Sequence, residues 1–255
     1  MATMRQMNLS DRDEAILTDL YFTRVLSTEQ IASKYFNTYN TAKARLAELA
    51  NDLWIIRRNP YKGTTIWTLT RPAFEREVED LHREGERYRE WPKPKAIPHF
   101  LETNDVFIDI SEELDEILGE RPNWDWKQEP RAWEAFKDGE GKGVHRPDAE
   151  ISFGGHRYFL ERQTGRARKT AKQIDDKINN DYRRYIRRQR REEFQGELEV
   201  LYACDEERDM KYANDAGQRH GVQMTSGKPG LIAEHIVSKA MAVRDKQQQE
   251  NAAHG

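Results

Sequence analysis

The chain has 255 residues, 36% of them hydrophobic and 34% charged, with a formal net charge of -3, so its apolar material suits two modest cores better than one large one. Its single cysteine, Cys204, excludes an internal disulfide and a thiolate metal cage and is expected to be a buried structural thiol. No apolar run approaches the roughly 20 residues that span a bilayer, and the first ten residues lack a signal-peptide core, so a cytoplasmic protein without a membrane partner is expected.

Ser10 followed by Asp11, Asp13 and Glu14 opens a first helix, because a hydroxyl caps free amides and carboxylates favour the positive helix end. It runs to about Thr23, with Ile16, Leu17, Leu20 and Tyr21 on its buried face. Ser27 and Thr28 open a short second helix to about Tyr35. A third begins near Asn40, with Ala42, Leu46, Leu49 and Leu53 facing inward. Its amino end then presents Tyr39, Asn40, Thr41, Lys43 and Arg45, side chains suited to phosphates and base edges.

Two β-rich runs joined at Asn59–Gly63 follow as a hairpin, with Arg57, Arg58 and Lys62 placed to meet a DNA backbone. Helix, short helix, helix and hairpin predict a winged helix-turn-helix over residues 1–70 that binds double-stranded DNA. Protein-interaction modules use the same order, which leaves an adaptor role open.

Residues 71–97 read as a charged linker helix, packing through Phe74, Val78 and Leu81 and stopped at Trp91-Pro92-Lys93-Pro94. A second, α/β domain is expected over 98–246 and a flexible tail over 247–255. An acidic amphipathic helix begins this domain, and a strand-like run follows in which Trp124, Trp126 and Trp133 are expected in the core. Two strands then flank Gly154-Gly155. Antiparallel pairing across that turn brings Asp148 near Glu161, and two carboxylates with a backbone carbonyl form a hard oxygen site suited to Mg²⁺ or Mn²⁺. Glu129, on the preceding strand, is a third candidate ligand.

The net charge conceals segregation. Residues 102–134 are acidic, whereas 162–191 are dense in Lys and Arg. The latter predict a long helix with Ile174, Ile178, Tyr182, Tyr185 and Ile186 inward and Arg183, Arg184, Arg187 and Arg188 toward DNA. A central strand over 197–204, a charged helix to about Arg219 and a last helix over 231–246 complete the domain. None of the seven histidines forms an H-x-x-x-H pair, which argues against a histidine-zinc site.

Pro147-Asp148 on one strand and Glu161-Arg162-Gln163 on the next resemble the PD-(D/E)XK nuclease-like pattern. The combined layout, with Arg45-Leu46, Leu69-Thr70, His99, Asn104-Asp105, Phe159-Leu160-Glu161, Lys177 and Tyr182, resembles the replication-relaxation family of plasmid and phage proteins. That resemblance implies an α+β protein: a winged helix before a nuclease-like domain with a mixed central sheet. In the nuclease pattern a lysine two residues after the Glu helps position or deprotonate water; here Gln163 stands there. Lys177 on the following helix is the first candidate to replace it, Lys169 and Lys172 the next.

The leading expectation is a DNA-binding protein of a mobile element, acting in replication, mobilisation or their control. Replication or relaxosome proteins and a second copy of the chain are further partners left open. A Mg²⁺-dependent endonuclease or nickase using Asp148, Glu161, Gln163 and Lys177 is the enzymatic alternative.

Overall fold

The computed structural model describes residues 9–61, 63–83, 85–88, 92–119, 123–164 and 169–254. The expected wing residue Lys62 and the helix stop at Trp91 lie outside them. Two compact units divide the chain, Met1–Ile108 and Asp109–Gly255.

The first unit contains α1 (Asp11–Thr23), β1 (Leu26–Ser27), α2 (Thr28–Tyr35), α3 (Tyr39–Asn51), β2 (Ile55–Tyr61), β3 (Thr64–Leu69), α4 (Arg71–Asp80) and the beginning of α5 (Ile97–Leu118). Reciprocal capping boxes start α1 and α2, Ser10 with Asp13 and Ser27 with Gln30, so the first free amides of each helix find acceptors. The strands form an antiparallel sheet in the order β1-β3-β2. Its core gathers Ile16, Leu17, Leu20, Ile31, Leu46, Leu49, Ile66 and Trp67. Leu53, expected inward, is 37% exposed, because α3 ends at Asn51 and Leu53 turns away at φ 66°. The strand β2 continues to Tyr61, past the Asn59 turn expected from sequence.

The segment expected as a linker helix ends at Asp80 and is fastened to α1. Glu77 is buried and accepts from the Thr18 hydroxyl at 2.9 Å, Arg76 pairs with Glu14 at 2.7 Å, and the Phe74 ring lies 5.4 Å from that of Tyr21. The start of α5 belongs to this unit too. Asn104 donates to the Val25 carbonyl at 2.6 Å, and Gln30 donates to Leu101 O and to Asp105, each at 2.8 Å. The division between units therefore falls after Ile108, where the sequence placed it at residue 97.

The second unit contains the rest of α5, β4 (Trp124–Gln128), β5 (Glu134–Asp138), β6 (Gly141–His145), β7 (Ala149–Phe153), β8 (His156–Gln163), α6 (Ala171–Lys177), a π-helical turn (Ile178–Arg183), α7 (Arg184–Arg191), β9 (Leu198–Cys204), α8 (Glu207–His220), β10 (Met224–Gly227) and α9 (Pro229–His254). A five-stranded mixed sheet runs β10-β9-β8-β7-β4, parallel from β10 to β8 and antiparallel from β8 to β4. Every residue of β9 is buried, as a central strand requires. Gly154 and Gly155, at φ +55° and +78°, make the left-handed turn that sets Phe153 opposite His156 and fixes the register of β7 on β8.

Against this sheet pack Ile174, Ile178, Tyr182, Tyr185 and Ile186, with Phe159, Val200 and Tyr202 from the strands. Cys204 is buried, and burial pushes its thiol up to about 12. Trp124 and Trp126 are core residues, but Trp133, expected with them, is 44% exposed. It precedes the β5–β6 hairpin, which is not among the elements expected from sequence. Residues 247–254 are helical, in place of the expected flexible tail. Among the described residues no helix is long and apolar enough to cross a membrane.

Candidate functional site

On the first unit, α3 starts at its cap Thr38, whose hydroxyl accepts from the Thr41 amide. Tyr39, Asn40, Thr41 and Lys43 are all exposed, while Ala42, Leu46 and Leu49 on the opposite side are buried. Arg57 and Arg58 of β2 are also exposed. Arg45 is placed differently from expectation. Its guanidinium bonds both carboxylate oxygens of the fully buried Asp13, at 3.0 and 2.7 Å, and reaches Glu48 at 2.6 Å. Burial works against the Asp13 charge, yet the Arg45 and Ser10 bonds outweigh it and hold the acid down at about 2. Arg45 thus ties α3 to α1.

On the second unit, Asp148 lies one residue before β7 and Glu161 near the end of β8. The Asp148 amide donates to Leu160 O at 3.0 Å and Ala149 pairs with Leu160, so Asp148 sits at the end of the ladder beside Leu160. The charges of Asp148 and Glu161 both act on Lys177 and Tyr182, which places the two acids under the π-helical turn. Both acids are buried. One Asp148 oxygen accepts from the Arg162 amide at 2.7 Å. Glu129 is not on a strand: it follows β4 in a turn, where its amide donates to Asp148 O at 3.0 Å.

Glu161 is enclosed by donors. The Lys177 ammonium lies 2.6 Å from its carboxylate, Lys169 lies at 3.2 Å, and the Tyr182 hydroxyl donates to the other oxygen. Lys177 also donates to Arg146 O at 3.1 Å. Burial favours neutral Lys177, but the charges of Glu161 and Asp148 prevail and raise its pKa above the ordinary lysine value. Tyr182 is driven well above the ordinary phenol value, first by burial and then by Glu161, so it remains a donor. Behind them the fully buried His145 stacks on Tyr185 at 4.1 Å; burial holds its imidazole neutral.

The π-helical turn explains how two side chains five positions apart reach one carboxylate. In a regular α-helix, residues 177 and 182 would point about 140° apart. Bonds from i to i+5 widen the turn and bring them onto one face.

Gln163 occupies the position where the nuclease pattern has lysine, and it is turned elsewhere. Its carbonyl accepts from Tyr202 at 2.6 Å and its amide donates to the buried Asp209 at 2.8 Å. This donor set does not fit a divalent cation. Glu161 already holds two ammonium groups and a phenol, and among the described residues no group of three His, Cys, Asp or Glu side chains is arranged to hold a metal. The Asp209 and Tyr202 partners of Gln163 had no signal in the sequence, since both lie in segments distant along the chain.

The basic helix is divided in its duties. Arg184 bonds Asp138 at 2.7 and 3.0 Å, Arg183 approaches Glu140 at 3.3 Å, and Arg188 bonds Glu192 at 2.7 Å and approaches Glu134 at 3.8 Å. These three arginines, expected on DNA, fasten the β5–β6 hairpin or their own helix. Arg187, Arg190 and Arg191 are exposed.

The protein-family model described as Replication-relaxation matches residues 17–201. Among solved structures, protein VC1899 from Vibrio cholerae overlays with a TM-score of 0.32 at 14% identity, covering 90% of this chain and 51% of that one. Restriction endonuclease FokI bound to DNA overlays with a TM-score of 0.29 at 11% identity, covering 94% and 48%. A second structure of restriction endonuclease FokI overlays with a TM-score of 0.26 at 12% identity, covering 94% and 46%. The chain thus spans about half the length of each. No curated protein matches the chain.

Proposed function

The chain belongs to the replication-relaxation family, and from that premise we propose that it is a DNA-binding protein acting in the replication or mobilisation of a plasmid, phage or integrative element. The first unit is a winged helix-turn-helix, with α3 as its recognition helix and the β2–β3 hairpin as its wing. The observation that carries this reading is the exposed amino end of α3, where Tyr39, Asn40, Thr41 and Lys43 stand opposite the helix's buried apolar side. Polar side chains at a helix amino end can reach base edges, and exposed Arg57 and Arg58 can hold phosphates. Arg187, Arg190 and Arg191 of the second unit add backbone contacts.

The second unit is a nuclease-like core that grips DNA without cutting it. Support comes from Asp148 and Glu161 acting on the same lysine, the mixed sheet around them, and the donors that already enclose Glu161. Fluorescence anisotropy on a mixed-sequence duplex at low salt tests the reading. Lys43→Ala and Arg57→Ala should each weaken binding several-fold, since each removes a phosphate or base contact. Unchanged affinity in both variants would sink the assignment of α3 and its hairpin.

A further inference from the structure

The β5–β6 hairpin has two dissimilar faces. Its register pairs Glu134 with His145, Ala135 with Val144, Phe136 with Gly143, and Lys137 with Lys142. Side chains alternate along each strand. Inward go Glu134, Phe136, Asp138 and His145: Phe136 enters the core, Asp138 bonds Arg184, and Glu134 accepts from Tyr185 at 2.6 Å. Gly143 lies over the Phe136 ring, where a Cβ would come within 2.4 Å of a ring carbon. The hairpin is therefore held from beneath.

Outward go Ala135, Lys137, Lys142 and Val144. Trp133 and Arg146 flank the last pair of the ladder, Glu134 and His145, and the Arg146 guanidinium carbon lies 5.5 Å from the centroid of the Trp133 ring. Trp133, Lys137, Lys142 and Arg146 are exposed. This face carries no carboxylate, and among the described residues none of its three cations enters a salt bridge. Beside it runs a groove of about 280 Å³, lined by Lys142, Gly143, Val144, Arg146 and Asp181.

We propose that this outer face binds an unpaired DNA strand, with a base stacked at Trp133 and Arg146 and neighbouring phosphates held by Lys137 and Lys142. An indole and a guanidinium offer flat π and cationic surfaces that any base can stack on. In a duplex those base faces are covered by their neighbours, so only an unpaired strand can use them. Phosphates need cations alongside, and the alternation of the two strands supplies them on the same side as the ring. Of the hairpin's acids, which would repel a nucleic-acid backbone, Glu134 and Asp138 turn inward to Tyr185 and Arg184, and Glu140 at the turn meets Arg183 at 3.3 Å. The platform lies on different residues from the duplex contacts proposed above and does not depend on them.

The full-length protein, titrated into labelled oligothymidine and separately into a labelled duplex, tests this. Trp133→Ala should weaken oligothymidine binding about tenfold, as expected for loss of one stacked base, and leave duplex binding as it was. Trp133→Phe should retain most of the single-strand affinity. Lys142→Ala should reduce the salt dependence of oligothymidine binding by about 0.7 in the logarithmic slope. No binding of oligothymidine by the wild type, or the same affinity in Trp133→Ala, overturns the proposal. So does an equal loss on both probes in Trp133→Ala and Trp133→Phe.

Discussion

Glu161 is fully buried, and a buried carboxylate is tolerated only where donors replace water. Three do so here: Lys177, Lys169 and Tyr182. Removing one cation leaves the acid undercompensated, so Lys177→Met should destabilise the protein by roughly 2–3 kcal/mol, somewhat below the roughly 3–5 kcal/mol for breaking a fully buried pair because Lys177 retains some exposure. Urea denaturation measures it; wild-type stability in the variant would mean that the ammonium is merely solvated. The same enclosure bears on cations from solution. An ion that binds the folded state raises its stability by mass action, so Mg²⁺ or Mn²⁺ should leave the wild-type melting temperature unmoved and supercoiled DNA uncut. Nicking that disappears in Asp148→Ala would overturn the non-cleaving reading.

At the scale of elements, α4 rests on α1 through a buried acid. Burial raises the Glu77 pKa from its ordinary 4.5 to about 7, against the smaller opposing effects of the Thr18 bond and Arg76. A carboxyl whose folded value is raised binds its proton more tightly in the folded state. Its favourable contribution is complete below about pH 4.5 and is lost as the pH rises through about 7. Glu77→Gln keeps a neutral acceptor for Thr18 and should therefore stabilise the protein by about 2–3 kcal/mol at pH 8 while changing little at pH 4.5. Denaturation curves at the two pH values check the sign; a variant that loses stability at pH 8 would show that the charged form is the one the fold prefers.

Elements specified locally were legible in the sequence. The caps Ser10 and Ser27 start α1 and α2, the apolar spacing of α3 separates its buried from its exposed side, and Gly154-Gly155 sets β7 against β8. What escaped depends on partners far along the chain. Arg45 looked available to DNA because Asp13 is 32 positions away, and Arg184 did because Asp138 is 46 away. The α4 segment looked solvated because one buried carboxyl does not show in its composition. The enclosure of Glu161 escaped for another reason: a 3.6-residue period places Lys177 and Tyr182 on different faces, and only the π-helical turn reunites them.

At the scale of the whole molecule, a net charge of -3 would by itself repel DNA. Binding is decided within a Debye length of each phosphate, about 8–10 Å at physiological salt, so the placement of charges outweighs their sum. Acids are neutralised inside the fold: Asp13 by Arg45, Asp138 by Arg184, Glu150 by Arg157, Glu161 by its two lysines. Cations left exposed at Lys43, Arg57 and Arg187 then act on the surface. Two substitutions separate sum from placement. Glu112→Gln, at an exposed position of α5, makes the net charge less negative and should leave the salt dependence of duplex binding unchanged. Lys43→Gln alters the net charge by the same amount in the other direction and should lower the logarithmic salt slope by about 1, the release of counterions from one phosphate. Equal and opposite changes in the two slopes would mean that the global charge governs binding, and the surface assigned to α3 would lose its electrostatic basis.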